Sequence, residues 1–186
     1  MTDFNVVPCR KQDRIITDKA MLVALLERNT VATVSMHDEP YPYAVQMNYG
    51  YEWEGDELIL YFHCAGTGHR FELLNKNPKV VVTIFEFLDR FGYVPYRKET
   101  HDYRSIHAYG EAEILYPEQE EEYLHGFSVM NQHNSGRPEI KKITTDWRNR
   151  LRILKVHVHH IMGKAQYGIT SMEELTIPEN VSKENK

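Results

Sequence analysis

Residues 58–82 read LILYFHCAGTGHRFELLNKNPKVVV, and this stretch organises the rest of the chain. Leu58–His63 is a short apolar, aromatic-rich run of the kind that forms a strand. Ala65–Gly68 is a tight loop with two glycines, and His69–Asn75 is long enough for one or two helical turns. Asn75-Lys76-Asn77-Pro78 stops that helix, after which a second strand begins. A glycine loop opening a helix presents backbone N–H groups and the positive end of the helix dipole. His69 and Arg70 stand in the first turn, where a cation is unfavourable to a helix, so an anion nearby relieves the conflict. The reading is a phosphate-binding loop. An ordinary strand–turn–helix connection with exposed basic side chains is the alternative.

A chain of 186 residues is expected to form one domain, with 1–16 as an N-terminal arm and 178–186 as a disordered tail. Hydrophobic content of 41% and charged content of 26% are ordinary for a globular protein. A net charge of −5 argues against general nucleic-acid binding, so any phosphate must be held by a local positive patch. Cys9 and Cys64 are too few and too far apart for a disulfide framework or a zinc motif. No basic region followed by an apolar core stands near the N-terminus, and no apolar run approaches membrane-spanning length. A soluble, cytoplasmic protein is expected.

Thr17 or Asp18 caps a helix that places Met21, Leu22, Leu25 and Leu26 on one face and ends near Asn29. Thr30–Met36 and Tyr41–Tyr51 read as strands joined by a turn at 37–40. Gly55-Asp56 turns the chain into the opening stretch, and Lys79–Phe87 is the strand after it. Asp89–Asp102 reads as a long loop, and Tyr103–Tyr116 as a long strand with a bulge at Gly110. Pro117 starts a helix with acidic first turns and Tyr123, Phe127 and Met130 on its buried face. Asn131–Pro138 reads as a loop, residues 139–150 as undetermined, and Arg152–Met162 as the last strand. About six strands with short turns, and helices only at the edges, favour a small antiparallel barrel over a βαβ sheet.

The segment YFHCAGTGHRFELLNKNPKV resembles the flavin-binding signature of the pyridoxamine 5'-phosphate oxidase-like FMN-binding split-barrel family, nearest its nitroimidazole-resistance (flavin-nucleotide-binding) branch. PYPYAVQMNYGYE upstream, YRSIHAYGEAEI downstream and the closing HHIMGKA resemble further blocks of the same family, in the same order. The resemblance spans roughly residues 10–166 in separated blocks. It implies a mainly β fold: a split antiparallel barrel with peripheral helices, forming a homodimer with a flavin at each end of the subunit interface and the N-terminal arm across the partner.

The implied cofactor is FMN, with a dianionic phosphate, a polyol and a flat ring to be held. Arg70 and His69 are the phosphate candidates, a guanidinium binding phosphate oxygens bidentately. The family commonly has Lys where Arg70 stands, and Pro where Gln46 stands. Tyr43, Val45 and Asn48 lie in the strand that contacts ring and phosphate in related oxidases. By period-two alternation Tyr43 and Val45 share a face, and Asn48 takes the opposite one unless the strand bulges. His63 and Cys64 end the strand before the glycine loop. In the nitroimidazole-resistance branch the histidine there lies beside the ring and substrate, making His63 the candidate for substrate binding or proton donation. A structural histidine bonded to backbone is its alternative. Ser105 is a plausible hydroxyl partner for the ring edge, or else an ordinary surface serine.

Two further features stay open in the sequence. Lys141-Lys142 with Arg148, Arg150 and Arg152 make a basic patch in an acidic chain. His157 and His159 share a strand face, but two imidazoles do not make a catalytic zinc site, and no metal is expected. The function implied is an FMN-dependent oxidoreductase acting on a small nitroaromatic- or quinone-like acceptor. NAD(P)H would bind transiently or not at all, since no Gly-x-Gly-x-x-Gly fingerprint is present. A non-catalytic flavin-binding or storage protein and a haem-binding split barrel are the alternatives. Pyridoxamine-phosphate oxidation fits less well, as the arginine-rich C-terminal substrate motif has no counterpart.

Overall fold

A computed structural model of the chain describes residues 1–4, 8–88, 102–138, 145–166 and 169–175. Its strands are β1 (Asp3–Phe4), β2 (Ile15–Ile16), β3 (Val31–Met36), β4 (Tyr43–Glu54), β5 (Glu57–Ala65), β6 (Lys79–Leu88), β7 (Asp102–Leu115) and β8 (Leu151–Ala165). Its helices are α1 (Lys19–Arg28), α2 (His69–Lys76), α3 (Glu120–Ser135), α4 (Thr145–Arg150) and α5 (Met172–Leu175). Six long strands run β8-β5-β4-β3-β6-β7, and β7 pairs again with β8 to close the ring. All six pairings are antiparallel, so the expected split barrel with peripheral helices is borne out.

Alternation decides which side chains fill the barrel. On β5, Leu58, Leu60, Phe62 and Cys64 enter the main core, with Val34 and Met36 from β3 and Val80, Val82 and Ile84 from β6. Ile59 and Tyr61 point the other way and are equally buried, because α3 lies over them with Tyr123 and Met130. This two-sided burial is why residues 58–62 read as an unbroken apolar run. Gly50 permits the contact: a Cβ there would stand 2.6 Å from the Met130 Cα. The α1 helix closes the barrel with Met21, Leu22, Leu25 and Leu26, each worth about 1.5–3 kcal/mol when fully buried. Asp18 caps it, accepting from the Met21 N–H at 2.9 Å.

Several expectations are corrected. The N-terminal arm carries two short strands: β1 pairs in parallel with β8, and β2 pairs antiparallel with it. Thr2 Oγ1 donates to the Val158 carbonyl at 2.6 Å and accepts from the Leu58 N–H at 2.9 Å, fastening the first residues to the barrel. The segment Asn131–Pro138 is not a loop. The α3 helix continues through Ser135 and ends at Gly136, whose φ of 66° makes a left-handed C-cap. That helix begins at Glu120 rather than Pro117. The bulge opposite Gly110 lies on the other strand: Tyr109 pairs with His160 and Gly110 with Val158, leaving His159 as the extra residue. Glycine is needed at 110 because a Cβ would meet the His157 carbonyl oxygen. Residues 89–101 of the expected long loop, and 178–186 of the expected tail, lie outside the described residues.

Candidate functional site

Strand β5 delivers the chain into Gly66–Gly68 and then α2. Gly66 donates its N–H to the Arg150 carbonyl at 2.9 Å, and a Cβ on it would stand 2.9 Å from the Arg152 Cζ. Gly68 adopts a φ of 99°, a conformation glycine tolerates at no steric cost, and it is the N-cap of α2 without a capping side chain. The first helical bond runs from the Glu72 N–H to the Gly68 carbonyl at 3.2 Å. The N–H groups of His69, Arg70 and Phe71 therefore have no acceptor within the helix.

Two cationic side chains follow, with different environments. Arg70 Nη1 points at Met47 Sδ, 3.5 Å away, a weak acceptor. Its charge reaches the ends of β5: with burial as the larger cause, Arg70 holds the His63 imidazole below its ordinary value. Burial pushes the Cys64 thiol up, while Arg70 and Arg152 pull it partly back. His69 is engaged differently. Its Nε2 lies 2.6 Å from Asp38 Oδ2, and its ring meets the edge of Tyr43 at 5.4 Å. The hydrogen bond from His69 holds the Asp38 carboxyl below the usual carboxylate range.

The expected site residues fall into three places. Tyr43, Val45, Cys64, His69 and Arg70 gather around the start of α2, with Tyr43 and Val45 packed against the main core. Asn48 lies on the opposite face of β4, since the β3–β4 register runs from Met36↔Tyr43 to Val31↔Asn48 without a bulge. It donates to the Thr30 carbonyl at 3.2 Å and to Asn134 Oδ1 at 3.4 Å. His63 also faces outward, stacked on Phe127 of α3 at 6.4 Å and 27°. Its ring has no backbone hydrogen bond among the described residues. Ser105 sits apart on β7, opposite Phe85 and Lys164, with its Oγ 3.5 Å from His107 Nε2. Within the described chain, no hydrogen bond or ring contact joins Ser105 to the other two groups.

Four participants were not singled out in sequence as part of this arrangement. In the sequence Asp38 belongs to a turn, Phe127 to the buried face of a helix and Asn134 to an expected loop; none carries a local signal for its long-range partner. Arg152 stands out in the sequence only as part of a basic patch. Two of its arginines are engaged separately: Arg148 pairs with Glu120 at 2.6 Å, while Arg152 lies over the Tyr116 ring at 5.0 Å and against Gly66; Lys141-Lys142 lie outside the described residues. The histidines of β8 also separate. His157 bonds Glu57 at 2.8 Å, His160 faces Asp3 at 3.7 Å, and His159 is exposed at the bulge. Among the described residues no group of three or more ligating side chains could hold a metal.

Residues 18–165 match the family model described as pyridoxamine 5'-phosphate oxidase. Among solved structures, a candidate 5-nitroimidazole antibiotic resistance protein from Bacteroides thetaiotaomicron aligns at 23% identity and a TM-score of 0.65. The alignment covers 81% of this chain and 86% of that one. A FAD and heme binding protein from Mycobacterium smegmatis aligns at 19% identity and a TM-score of 0.62, over 87% of this chain and 78% of that one. A FAD-binding protein from Mesorhizobium loti aligns at 17% identity and a TM-score of 0.55, over 82% and 96%. At these identities the structural likeness establishes the shared fold. No curated protein matches the sequence. No described helix is long and apolar enough to cross a membrane.

Proposed function

The chain belongs to the pyridoxamine 5'-phosphate oxidase family, and from that premise we propose that it is an FMN-dependent oxidoreductase acting on a small nitroaromatic- or quinone-like acceptor. The observation that carries the reading is the glycine loop: an uncapped helix start beside a guanidinium whose near contacts are a thioether and a thiol rather than a carboxylate. That donor set fits a dianionic phosphate. The Asp38 carboxylate is already engaged by His69. FMN, when bound, supplies the hydride or electron transfer.

The chain's own residues would divide the work. Arg70 and the first N–H groups of α2 would hold the phosphate. Asn48 and His63, on the outward side of β4 and β5, would meet the ring and the substrate. Burial, and behind it Arg70, holds the His63 imidazole below its ordinary value, which favours a role as a substrate anchor through its N–H. Phe127 supports the imidazole from behind. NAD(P)H would dock transiently as the electron donor.

Homodimerisation belongs to the same proposal. Thr33, Gln46, Thr83 and His107 form one outward row across β3, β4, β6 and β7, and Ser35, Ala44, Val81 and Tyr109 form the next. Neither row contains a carboxylate, ammonium or guanidinium. Val31 and Phe85 beside them are 48% and 57% exposed. An uncharged four-strand face of this extent supports pairing with a second copy, and would bring Ser105 of each subunit into an interface.

A visible spectrum tests the first step. Oxidised-flavin bands in the purified or FMN-titrated protein are expected, a Soret band would instead indicate haem, and a protein that takes up neither refutes the reading. The catalytic step is tested by His63→Ala, measured for FMN dissociation and for reoxidation of the reduced protein by a nitroaromatic or quinone. The rate should fall roughly 10²- to 10⁴-fold with retention little changed. Normal behaviour in both measurements would make His63 structural.

A further inference from the structure

A cavity lies away from the glycine loop, between α1, the far half of β4 and α3. It has a volume of about 530 Å³, within the usual range for small-ligand sites. Val23 and Val129 form its apolar walls, Tyr51 and Trp53 contribute aromatic rings, and Glu27 and Glu52 contribute carboxylates. No lysine or arginine lines it among the described residues.

The inner end is built rigidly. His133, whose side chain is 3% exposed, donates from Nε2 to the Asn29 carbonyl at 2.7 Å. Its ring meets Tyr51 edge-on at 5.2 Å, and the Tyr51 hydroxyl donates to Glu27 Oε2 at 2.8 Å. That leaves Glu27 Oε1 without a hydrogen-bond partner among the described residues. Glu52 accepts from the Tyr61 hydroxyl at 2.7 Å and lies 2.7 Å from His125 Nε2. At Trp53 an ammonium is already seated: Lys19 Nζ stands 4.0 Å from the ring centroid. The indole Nε1–H of Trp53 is buried with no acceptor among the described residues.

We infer that this cavity is a binding site for a small organic cation, an amine carrying an apolar or aromatic body. Glu27 Oε1 takes the ammonium at the rim. The Tyr51 ring favours a cation and an aromatic body alike, the Trp53 face being held by Lys19, and the valines cover the apolar part. An anionic ligand is disfavoured by the two carboxylates. The site does not depend on flavin binding, since none of its lining residues belongs to α2 or the glycine loop.

Tryptamine is a suitable probe, with neutral indole-3-ethanol as its uncharged counterpart, each titrated calorimetrically into the full chain with and without saturating FMN. Tryptamine should bind with a submillimolar to low-millimolar Kd, at least about tenfold more tightly than indole-3-ethanol. Glu27→Gln, at a rim position 68% exposed, should abolish that preference while leaving the thermal unfolding midpoint nearly unchanged. Val129→Trp should block both probes by filling the cavity. FMN saturation should leave the tryptamine affinity within twofold. No detectable tryptamine binding, equal binding of both probes, an unchanged preference in Glu27→Gln, or displacement of tryptamine by FMN would each overturn the inference. Failure of FMN to bind at all would refute the flavin reading alone.

Discussion

Arg70→Ala is expected to separate cofactor retention from folding. The guanidinium has a thioether 3.5 Å away and no carboxylate partner among the described residues, so truncating it leaves no buried charge orphaned. It also removes a cation from the first turn of α2, where a positive charge opposes the dipole by about 0.3–1 kcal/mol. The apo variant should therefore match or slightly exceed the parent in urea unfolding. Toward FMN the balance reverses. One charge-assisted hydrogen bond to phosphate is worth roughly 1.5–3 kcal/mol, so Kd should rise about 10- to 150-fold. A third readout is independent of ligand. Because Arg70 helps to depress the His63 imidazole, its removal should raise the His63 pKa toward the ordinary value, followed by NMR. Fluorescence titration of the apo proteins measures the affinity. Unchanged FMN affinity would refute the loop assignment and move the phosphate site elsewhere, with Arg152 the next guanidinium to test. Destabilisation by several kcal/mol would make Arg70 a structural residue.

Phe85→Lys should give a monomer by light scattering and weaken FMN binding with it; a dimer that retains flavin would place the interface on another face. Gly50→Ala forces a Cβ to 2.6 Å from the Met130 Cα, so denaturant unfolding should show a loss of about 1–3 kcal/mol. Acid titration carries two signs that agree. The Asp38 carboxyl is held low by His69; its contribution is present above the ordinary value of 3.8 and is lost as pH falls below it. His63 is also held low, so the folded state binds fewer protons than the unfolded chain once pH drops under 6.5. Stability should decline from there downward, and Asp38→Asn should flatten only the most acidic part of the curve.

Local pattern alone carried much of this protein. The apolar face of α1 and its Asp18 cap, the turn at Gly55-Asp56, and the strand–glycine loop–helix of residues 57–76 all depend on neighbours within a few positions. Such features are written in side-chain period and turn chemistry. The opposite facing of Asn48 and Tyr43 was legible for the same reason, since alternation holds wherever a strand does not bulge. Other features needed the closed barrel. Ring closure sets Tyr109 against His160 and forces the extra residue onto β8, which Gly110 reveals only through its close approach to His157. Asp38 reaches His69 across 31 positions, and Phe127 reaches His63 from a separate helix. The sequence predicts a loop where α3 ends because Asn131, His133 and Asn134 are polar. Yet His133 bonds the Asn29 carbonyl, and Asn134 the Tyr49 carbonyl at 2.7 Å. Long-range acceptors thus satisfy residues that, read locally, favour a loop, and only tertiary structure supplies those acceptors.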